Sequence, residues 1–324
     1  MLKAGLGRVI KVLMVLITVI ICNFALVRLA PGDPVSVIAG ETGASDAAFV
    51  ASLREEFQLD KPIHVQLGTY LANVATGDLG YSYRQRRPVA DLIWERMPAT
   101  LLLTGTAFVL SLVVGVASGI FAGLKRGTWG DNTLVVLCLF GYALPAFWLG
   151  LVLVLIFSVW LQWLPAFGMQ TLGFTGTWWE QAADVARHLV LPAVTLSAYY
   201  IALYTRVMRS SVADVQSSDF IKTARARGLS RRRIIGVHML RNAALPVITL
   251  AGVQAGQLIG GSIVVETVFA WPGIGRLALD SLLQREYMVL LGVFIVTSVM
   301  VIALNIITDI ILAIVDPRIR KAAA

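Results

Sequence analysis

The chain has 324 residues, of which 57% are hydrophobic and only 14% are charged, and its formal net charge is +8. This composition excludes an ordinary soluble domain and predicts an integral membrane protein. A helical crossing of the bilayer needs about 20 apolar residues, and runs of that order recur along the whole sequence.

Six apolar runs predict an all-α membrane protein with six transmembrane helices. They lie at residues 9–29, 97–124, 132–160, 188–205, 242–265 and 287–315. Residues 1–30 also resemble a secretory signal, because Lys3, Arg8 and Lys11 precede an apolar stretch. We expect no cleavage, since the stretch is long and more spans follow. Pro145 predicts a bend in the third span.

Charge predicts the orientation of these spans, because short loops rich in Lys and Arg stay in the cytoplasm. With six spans and both termini in the cytoplasm, that side holds 17 of the 27 Lys and Arg residues and five of the 19 Asp and Glu residues. The net positive charge then reflects an unequal distribution of charged residues across a membrane. This explanation argues against a nucleic-acid partner.

The segments around the spans give the predicted domains: an N-terminal transmembrane helix at 1–30, an outer cap region at 31–96, a five-helix core at 97–315 with a cytoplasmic loop at about 210–241, and a cytoplasmic tail at 316–324. In the cap, Pro62 can begin a helix that Gly77 ends. Val89, Leu92 and Ile93 then share one side of a short amphipathic helix.

Two glycine stripes at a spacing of four predict close contacts between helices, because glycine lets a second backbone approach. Such a contact can be packing within this chain, a subunit interface or a gate. The stripes are Gly115, Gly119 and Gly123 in the second span, and Gly252, Gly256 and Gly260 in the fifth.

Polar residues within or at the ends of the spans are candidates for a pathway or gate, since a charge at mid-membrane costs about 2.5 to 3.5 kcal/mol. Asp309 can form an ion pair with a residue such as Arg206 or act in a proton relay. The candidates are Gln254, Gln257, Glu266, Asn305 and Asp309.

The sequence contains no pattern typical of a catalytic or metal site. Its three histidines are scattered, and no Gly-Lys dipeptide occurs, which excludes a GxxxxGK[ST] nucleotide-binding loop. If ATP drives this protein, we expect ATP and Mg²⁺ to be bound by another chain.

Residues 220–235, FIKTARARGLSRRRII, contain six basic residues and no acid. Topology explains their charge, but the segment also has the features of a short helix. Ser217, Ser218 or Asp219 can cap it, and Gly228 can end it in the left-handed conformation. Between them lies an apolar and small-residue ridge of Phe220, Ile221, Thr223 and Ala224.

The pattern TARARGLS…HMLRNAALP resembles the EAA loop of ABC-importer permeases in the dipeptide, oligopeptide and nickel permease family. Lys222, Thr223 and Ala224 align with the Glu-Ala-Ala consensus, so Lys222 replaces its Glu, and Gly228 aligns with its Gly. Further signatures occur in family order: RLAPGDP, GDLGYSY, RPVADLIWERMPATLLLT, VETVFAWPGIG and DPRIR.

This resemblance implies a type I importer permease with the MetI-like fold, located in a bacterial inner membrane. It also implies four kinds of partner: a second homologous permease, two cytoplasmic ATPase subunits, a periplasmic or lipid-anchored binding protein, and membrane lipid. In such a complex the loop helix docks on the ATPase, and the residues expected to couple the two are Phe220, Ile221, Thr223, Ala224, Arg225 and Gly228.

Three alternatives stay open at this point. The solute can be a di- or oligopeptide, nickel or another small molecule; the absence of a metal-ligand cluster favours peptides. A secondary transporter would use Glu266 or Asp309 to couple an ion gradient and would need no ATPase. A structural or receptor role for the basic loop is the third alternative.

Overall fold

A computed structural model describes residues 2–29 and 61–315 of the chain. Residues 30–60, which form about half of the predicted outer cap, lie outside the described residues, as does the predicted tail at 316–324. The side chain of Asp309 is also outside the description.

The described residues form helices and one short β-hairpin. The first part contains α1 (Leu2–Leu29), α2 (Ile63–Ala75), β1 (Tyr81–Ser82), β2 (Arg87–Pro88), α3 (Val89–Leu124), α4 (Trp129–Ala143), α5 (Ala146–Leu153), the π-helical segment π1 (Val154–Trp160) and α6 (Trp178–Ser217). The second part contains α7 (Asp219–Ala226), α8 (Arg231–Arg233), the π-helical segment π2 (Ile234–Met239), α9 (Leu240–Val268), α10 (Ile274–Leu283) and α11 (Tyr287–Val315). The strands are antiparallel, with Ser82 opposite Arg87.

Four of the described helices are long and apolar enough to cross a membrane: α3, α6, the continuous helix Arg231–Val268, and Tyr287–Thr308 of α11. Trp129–Ala143 and Ala146–Trp160 make a fifth crossing only as a pair bent by 109°. The break lies at Pro145, which confirms the predicted bend. In α1 the described apolar stretch is shorter than a span requires. The count of six therefore stays a prediction.

Helix α6 runs well beyond the predicted span at 188–205, because polar caps rather than hydropathy set its ends. At its start, the backbone N–H and the hydroxyl of Thr177 both donate to Glu180 Oε2 at 2.8 Å. This arrangement belongs to the capping-box class of helix starts. At its other end, the Ser218 hydroxyl donates to the Val215 carbonyl at 2.6 Å. The result is a 40-residue helix.

One compact unit contains the described residues of Met1–Pro98 together with Pro272–Ile302. Its core joins the first turns of α3 to α10 and α11, and Val89, Leu92 and Ile93 are almost completely buried there. The predicted amphipathic segment is thus confirmed, although it continues through Pro98 into the long α3. Helix α2 follows Pro62 and ends before the positive-φ Gly77, also as predicted.

The other compact unit contains Ala99–Trp271 together with the described residues of Ala303–Ala323. Helix α6 lies at its centre, and α4, α5 and α9 pack against it. Tyr204, Met208 and Val212 on α6 are almost completely inaccessible to solvent. Because the buried face of α6 continues toward its C-terminal end, this helix joins the core of the unit to the basic loop that follows it.

Candidate coupling loop

The chain turns at Ser218 from α6 into α7, the short helix predicted from the sequence. Ser218 has an extended backbone, with φ −68° and ψ 150°. Its carbonyl accepts hydrogen bonds from the N–H groups of Ile221 and Lys222 at 3.1 and 3.2 Å. Ser218, one of the three predicted capping positions, is therefore the N-cap residue that precedes α7, although its side chain makes no capping hydrogen bond to this helix.

The end of α7 is a Schellman motif. The Gly228 N–H donates to the Arg225 carbonyl at 3.0 Å, and the Leu229 N–H donates to the Ala224 carbonyl at 3.3 Å. These are the two bonds that define the motif. Gly228 has φ +73°, so the predicted left-handed glycine is confirmed. The motif limits α7 to eight residues.

One face of α7 packs against its own chain. Ile221 is completely buried and Ala224 is 7% exposed. Both belong to the core cluster that includes Ile234 and Met239 of π2. Ile221 and Ala224 are three positions apart and therefore share one helix face. The structure corrects the predicted arrangement of the ridge, because this face packs against its own chain and not against a partner.

The opposite face of α7 is open to solvent. Phe220 is 45% exposed, and Thr223, Arg225 and Arg227 are also exposed. Phe220, Thr223 and Arg227 are separated by three and four positions, so they form one stripe along the helix. We call these three residues the outward stripe. It combines an aromatic ring, a small side chain and a cation.

A buried ion pair that the sequence analysis missed lies at the start of α4. Asp131 is completely buried, and Arg209 of α6 donates to its two carboxylate oxygens, from Nε at 2.5 Å and from Nη2 at 2.8 Å. The Gly127 N–H also donates to Asp131 Oδ2 at 2.9 Å. This two-point contact fixes α4 against the same helix that leads into α7.

The first glycine stripe contacts α6 of the same chain. A Cβ atom added at Gly115, Gly119 or Gly123 would lie 2.8, 2.5 or 2.7 Å from the Cβ atom of Tyr204, Met208 or Val212 respectively. Such distances are shorter than normal carbon contacts. Of the readings left open, packing within the chain accounts for this stripe.

The second stripe is less uniform. A Cβ atom at Gly252 would collide with the Thr308 methyl group, whereas one at Gly260 would have no atom within 4 Å. Gly256 is buried and Gly260 is exposed. Only part of this stripe therefore meets another helix among the described residues.

Glu266, a predicted pathway residue, is completely buried among hydrogen-bonding side chains. The hydroxyl groups of Thr100 and Ser262 donate to its Oε1 at 2.8 and 3.0 Å. Nearby, Trp271 Nε1 donates to the Ala99 carbonyl at 2.8 Å. These contacts join α3 to the end of α9.

The structure does not bring the other pathway candidates together into one site. Gln257 and Asn305 are exposed, and Gln254 is partly buried. The Gln254 Oε1 atom is buried without a hydrogen-bond partner among the described residues. Asp309 and its predicted pairing with Arg206 lie outside the described side chains.

Two family models together match most of the sequence. The model described as "Binding-protein-dependent transport system inner membrane component" matches residues 115–321. The model described as "Binding-prot-dependent transport system membrane comp, N-term" matches residues 1–104. The first match includes the whole candidate loop, and the second includes the β-hairpin.

Curated relatives match the chain over nearly its full length. It is 40% identical over 337 residues to the dipeptide transport system permease protein DppB of Escherichia coli strain K12, with 99% of each chain covered. It is 41% identical over 320 residues to the glutathione transport system permease protein GsiC of Salmonella choleraesuis strain SC-B67, again with 99% of each covered.

A solved structure shares the fold. A chain in the inward-facing MetNI methionine ABC transporter matches with a TM-score of 0.55, at 17% sequence identity. The match covers 69% of this chain and 96% of that chain. It supports the predicted MetI-like fold.

Proposed function

Because the chain belongs to the family of inner-membrane components of binding-protein-dependent transport systems, we propose that it is the permease subunit of an ATP-driven peptide importer. The relatives named for dipeptide and glutathione transport support a peptide as the solute, since glutathione is itself a short peptide. ATP hydrolysis would take place in separate subunits, which would bind ATP and Mg²⁺.

The observation that carries this proposal is the division of α7 into an anchored face and an open face. Ile221 and Ala224 fix the helix to its own chain, while Phe220 is 45% exposed beside cationic side chains. Aromatic residues and arginine are both enriched among the residues that anchor protein interfaces. The outward stripe would therefore dock on an ATPase subunit.

Closure of two ATPase subunits on ATP would move the docked α7 helices of this chain and of a second, homologous permease. Because α7 is anchored by its inner face, its displacement would be transmitted to α6 rather than lost in the loop. The complex would thereby alternate between inward-facing and outward-facing states. A binding protein would deliver the peptide from outside.

The proposed topology has six crossings with both termini in the cytoplasm, so that α7 and the basic residues near it lie inside. Residues 31–96 would form an outer cap, 97–315 the permease core, and 316–324 a cytoplasmic tail. The distribution of Lys and Arg between the loops supports this orientation.

The docking role of α7 can be tested with Phe220→Asp in the assembled complex, purified through a tag on this chain. We expect the recovery of ATPase subunits to fall, because the substitution places a carboxylate where an aromatic ring would be buried in the interface. Trp129→Asp is the matched control, since Trp129 is 89% exposed at the start of α4. Equal recovery from both variants would contradict docking through the outward stripe.

The transport function can be tested in proteoliposomes that contain the whole complex and its binding protein. We expect uptake of a labelled dipeptide or of glutathione only when ATP is present on the ATPase side. Uptake by this chain alone, driven by an ion gradient, would refute the proposal and favour a secondary transporter.

A further inference from the structure

Exposed arginines collect around the β-hairpin of the first compact unit. Arg84 and Arg86 lie on either side of Gln85 in the loop between β1 and β2, and both are exposed. Arg285 is exposed in the turn between α10 and α11. Although about 200 positions separate Arg285 from the hairpin in sequence, the fold brings these segments together.

Glu286 joins the two segments. It is 9% exposed, and the Ser82 hydroxyl donates to its Oε1 at 2.6 Å. Gln85 Nε2 donates to Glu286 Oε2 at 3.5 Å, and the Gln85 backbone N–H donates to the Ser82 hydroxyl at 3.1 Å. Arg84 and Arg86, which flank Gln85, and Arg285, which precedes Glu286, are therefore held at one edge of the unit.

Two of the arginines occupy a backbone conformation that favours glycine. Arg86 has φ +52° and Arg285 has φ +58°. Residues with a side chain adopt such values at an energetic cost, and they persist where the surrounding structure holds them. Here the contacts of Glu286 provide that support, so that both long cationic side chains are presented from a fixed backbone.

Membrane topology does not account for these charges. In the proposed orientation the hairpin lies outside, where the positive-inside rule disfavours a basic cluster. The Glu286 carboxylate is buried, and Glu95 pairs with Arg87 at 2.9 Å. Neither Arg86 nor Arg285 forms a salt bridge with another of the described residues. Their positive charge is therefore directed toward solvent.

Exposed aromatic and aliphatic groups lie beside the arginines. Tyr81 is 40% exposed, and Leu282 and Leu283 in the last turn of α10 are 53% and 74% exposed. Arg and Tyr are enriched in protein interfaces. We call Tyr81, Arg84, Arg86, Leu283 and Arg285 the arginine patch.

We propose that the arginine patch docks an acidic face of the soluble binding protein that delivers the peptide. This inference rests on the proposed importer function and identifies the outer surface that recognises that partner. Complementary charge would steer the binding protein to the permease and fix its orientation, while Tyr81 and Leu283 would supply the apolar contact.

The test uses the complete complex in nanodiscs of neutral phosphatidylcholine, and the probe is the binding protein that copurifies with it. Affinity and association rate are measured at several NaCl concentrations for wild type and for the Arg86→Glu/Arg285→Glu double variant. We expect the double variant to bind roughly ten-fold or more weakly at low salt, mainly through slower association, and the difference to shrink as salt rises.

Two further variants serve as controls. Arg86→Lys/Arg285→Lys keeps the charge and should bind almost like wild type. Arg187→Glu changes an exposed arginine on α6, outside the patch, and should have little effect on affinity. Normal recovery of ATPase subunits with the double Glu variant would show that the rest of the chain is folded.

The proposal is overturned if the double Glu variant binds like wild type, or if Arg187→Glu causes an equal loss. It is also overturned if the loss appears only in nanodiscs with anionic phosphatidylglycerol, because the patch would then contact lipid. ATP-driven uptake by the wild type distinguishes a failure of the docking proposal from a failure of the importer function. If uptake persists, only the proposed docking surface is wrong. If wild type takes up no peptide, the importer function fails as well.

Discussion

Replacing Gly119 by alanine should weaken the contact between α3 and α6. The added Cβ atom would lie 2.5 Å from Met208 Cβ and 2.7 Å from the Thr205 carbonyl oxygen. Carbon atoms normally approach to about 3.5 to 4.0 Å, so the two helices would have to separate by about 1 Å. Overpacking of this kind costs about 1 to 3 kcal/mol.

Helix propensity opposes this loss, because alanine is favoured over glycine within a helix by about 1 kcal/mol. Gly105→Ala isolates that contribution. Gly105 lies in the same helix, and a Cβ atom there would have nothing within 4 Å. The difference in free energy of unfolding between the two variants should then equal the packing cost alone, about 1 to 3 kcal/mol, with Gly119→Ala the less stable.

The measurement is reversible unfolding in mixed detergent micelles of increasing sodium dodecyl sulfate content, followed by tryptophan fluorescence. Both variants should have the same helical content as wild type before unfolding. Equal unfolding midpoints for Gly119→Ala and Gly105→Ala would refute the reasoning, because the close approach of α6 would then have no energetic consequence.

Three further predictions use the same chain. Asp131→Asn should lower the free energy of unfolding by about 1 to 3 kcal/mol, because Arg209 loses a charged two-point acceptor; an unchanged unfolding midpoint would contradict this. Gly228→Val should reduce ATP-driven uptake more than Gly228→Asn does, because asparagine tolerates the left-handed backbone and valine does not; equal uptake by the two would argue against a role for the turn. Thr100→Val should cost about 1 to 3 kcal/mol by removing a hydrogen bond to the buried Glu266, and calorimetric melting of the purified complex would detect it.

Local rules predicted the features that depend on one residue and its neighbours. Pro145 predicted the break before α5, and Gly228 predicted the left-handed end of α7. Spacing at intervals of four predicted that Gly115, Gly119 and Gly123 share a face. Each of these features follows from backbone geometry or helical periodicity, which a single sequence displays directly.

Helical periodicity cannot predict whether a given face of a helix packs against the same chain, binds a partner or stays open to solvent. Ile221 and Ala224 were correctly placed on one ridge, but Phe220 and Thr223 lie on the other side of it, and only the fold shows that the first pair faces inward. The Asp131 and Arg209 contact spans 78 positions in sequence. No local pattern links two such residues.

The contacts of α7, α6 and α3 within this chain would make the proposed coupling mechanism physically workable. A docked helix can transmit movement only if it is fixed to the element that must move, and Ile221 and Ala224 provide that attachment. Helix α6 then continues for 40 residues without a break, a length of about 60 Å. Since α6 packs tightly against the glycine stripe of α3 and is clamped to α4 by Asp131, a displacement at Phe220 would move several helices together rather than bend one loop.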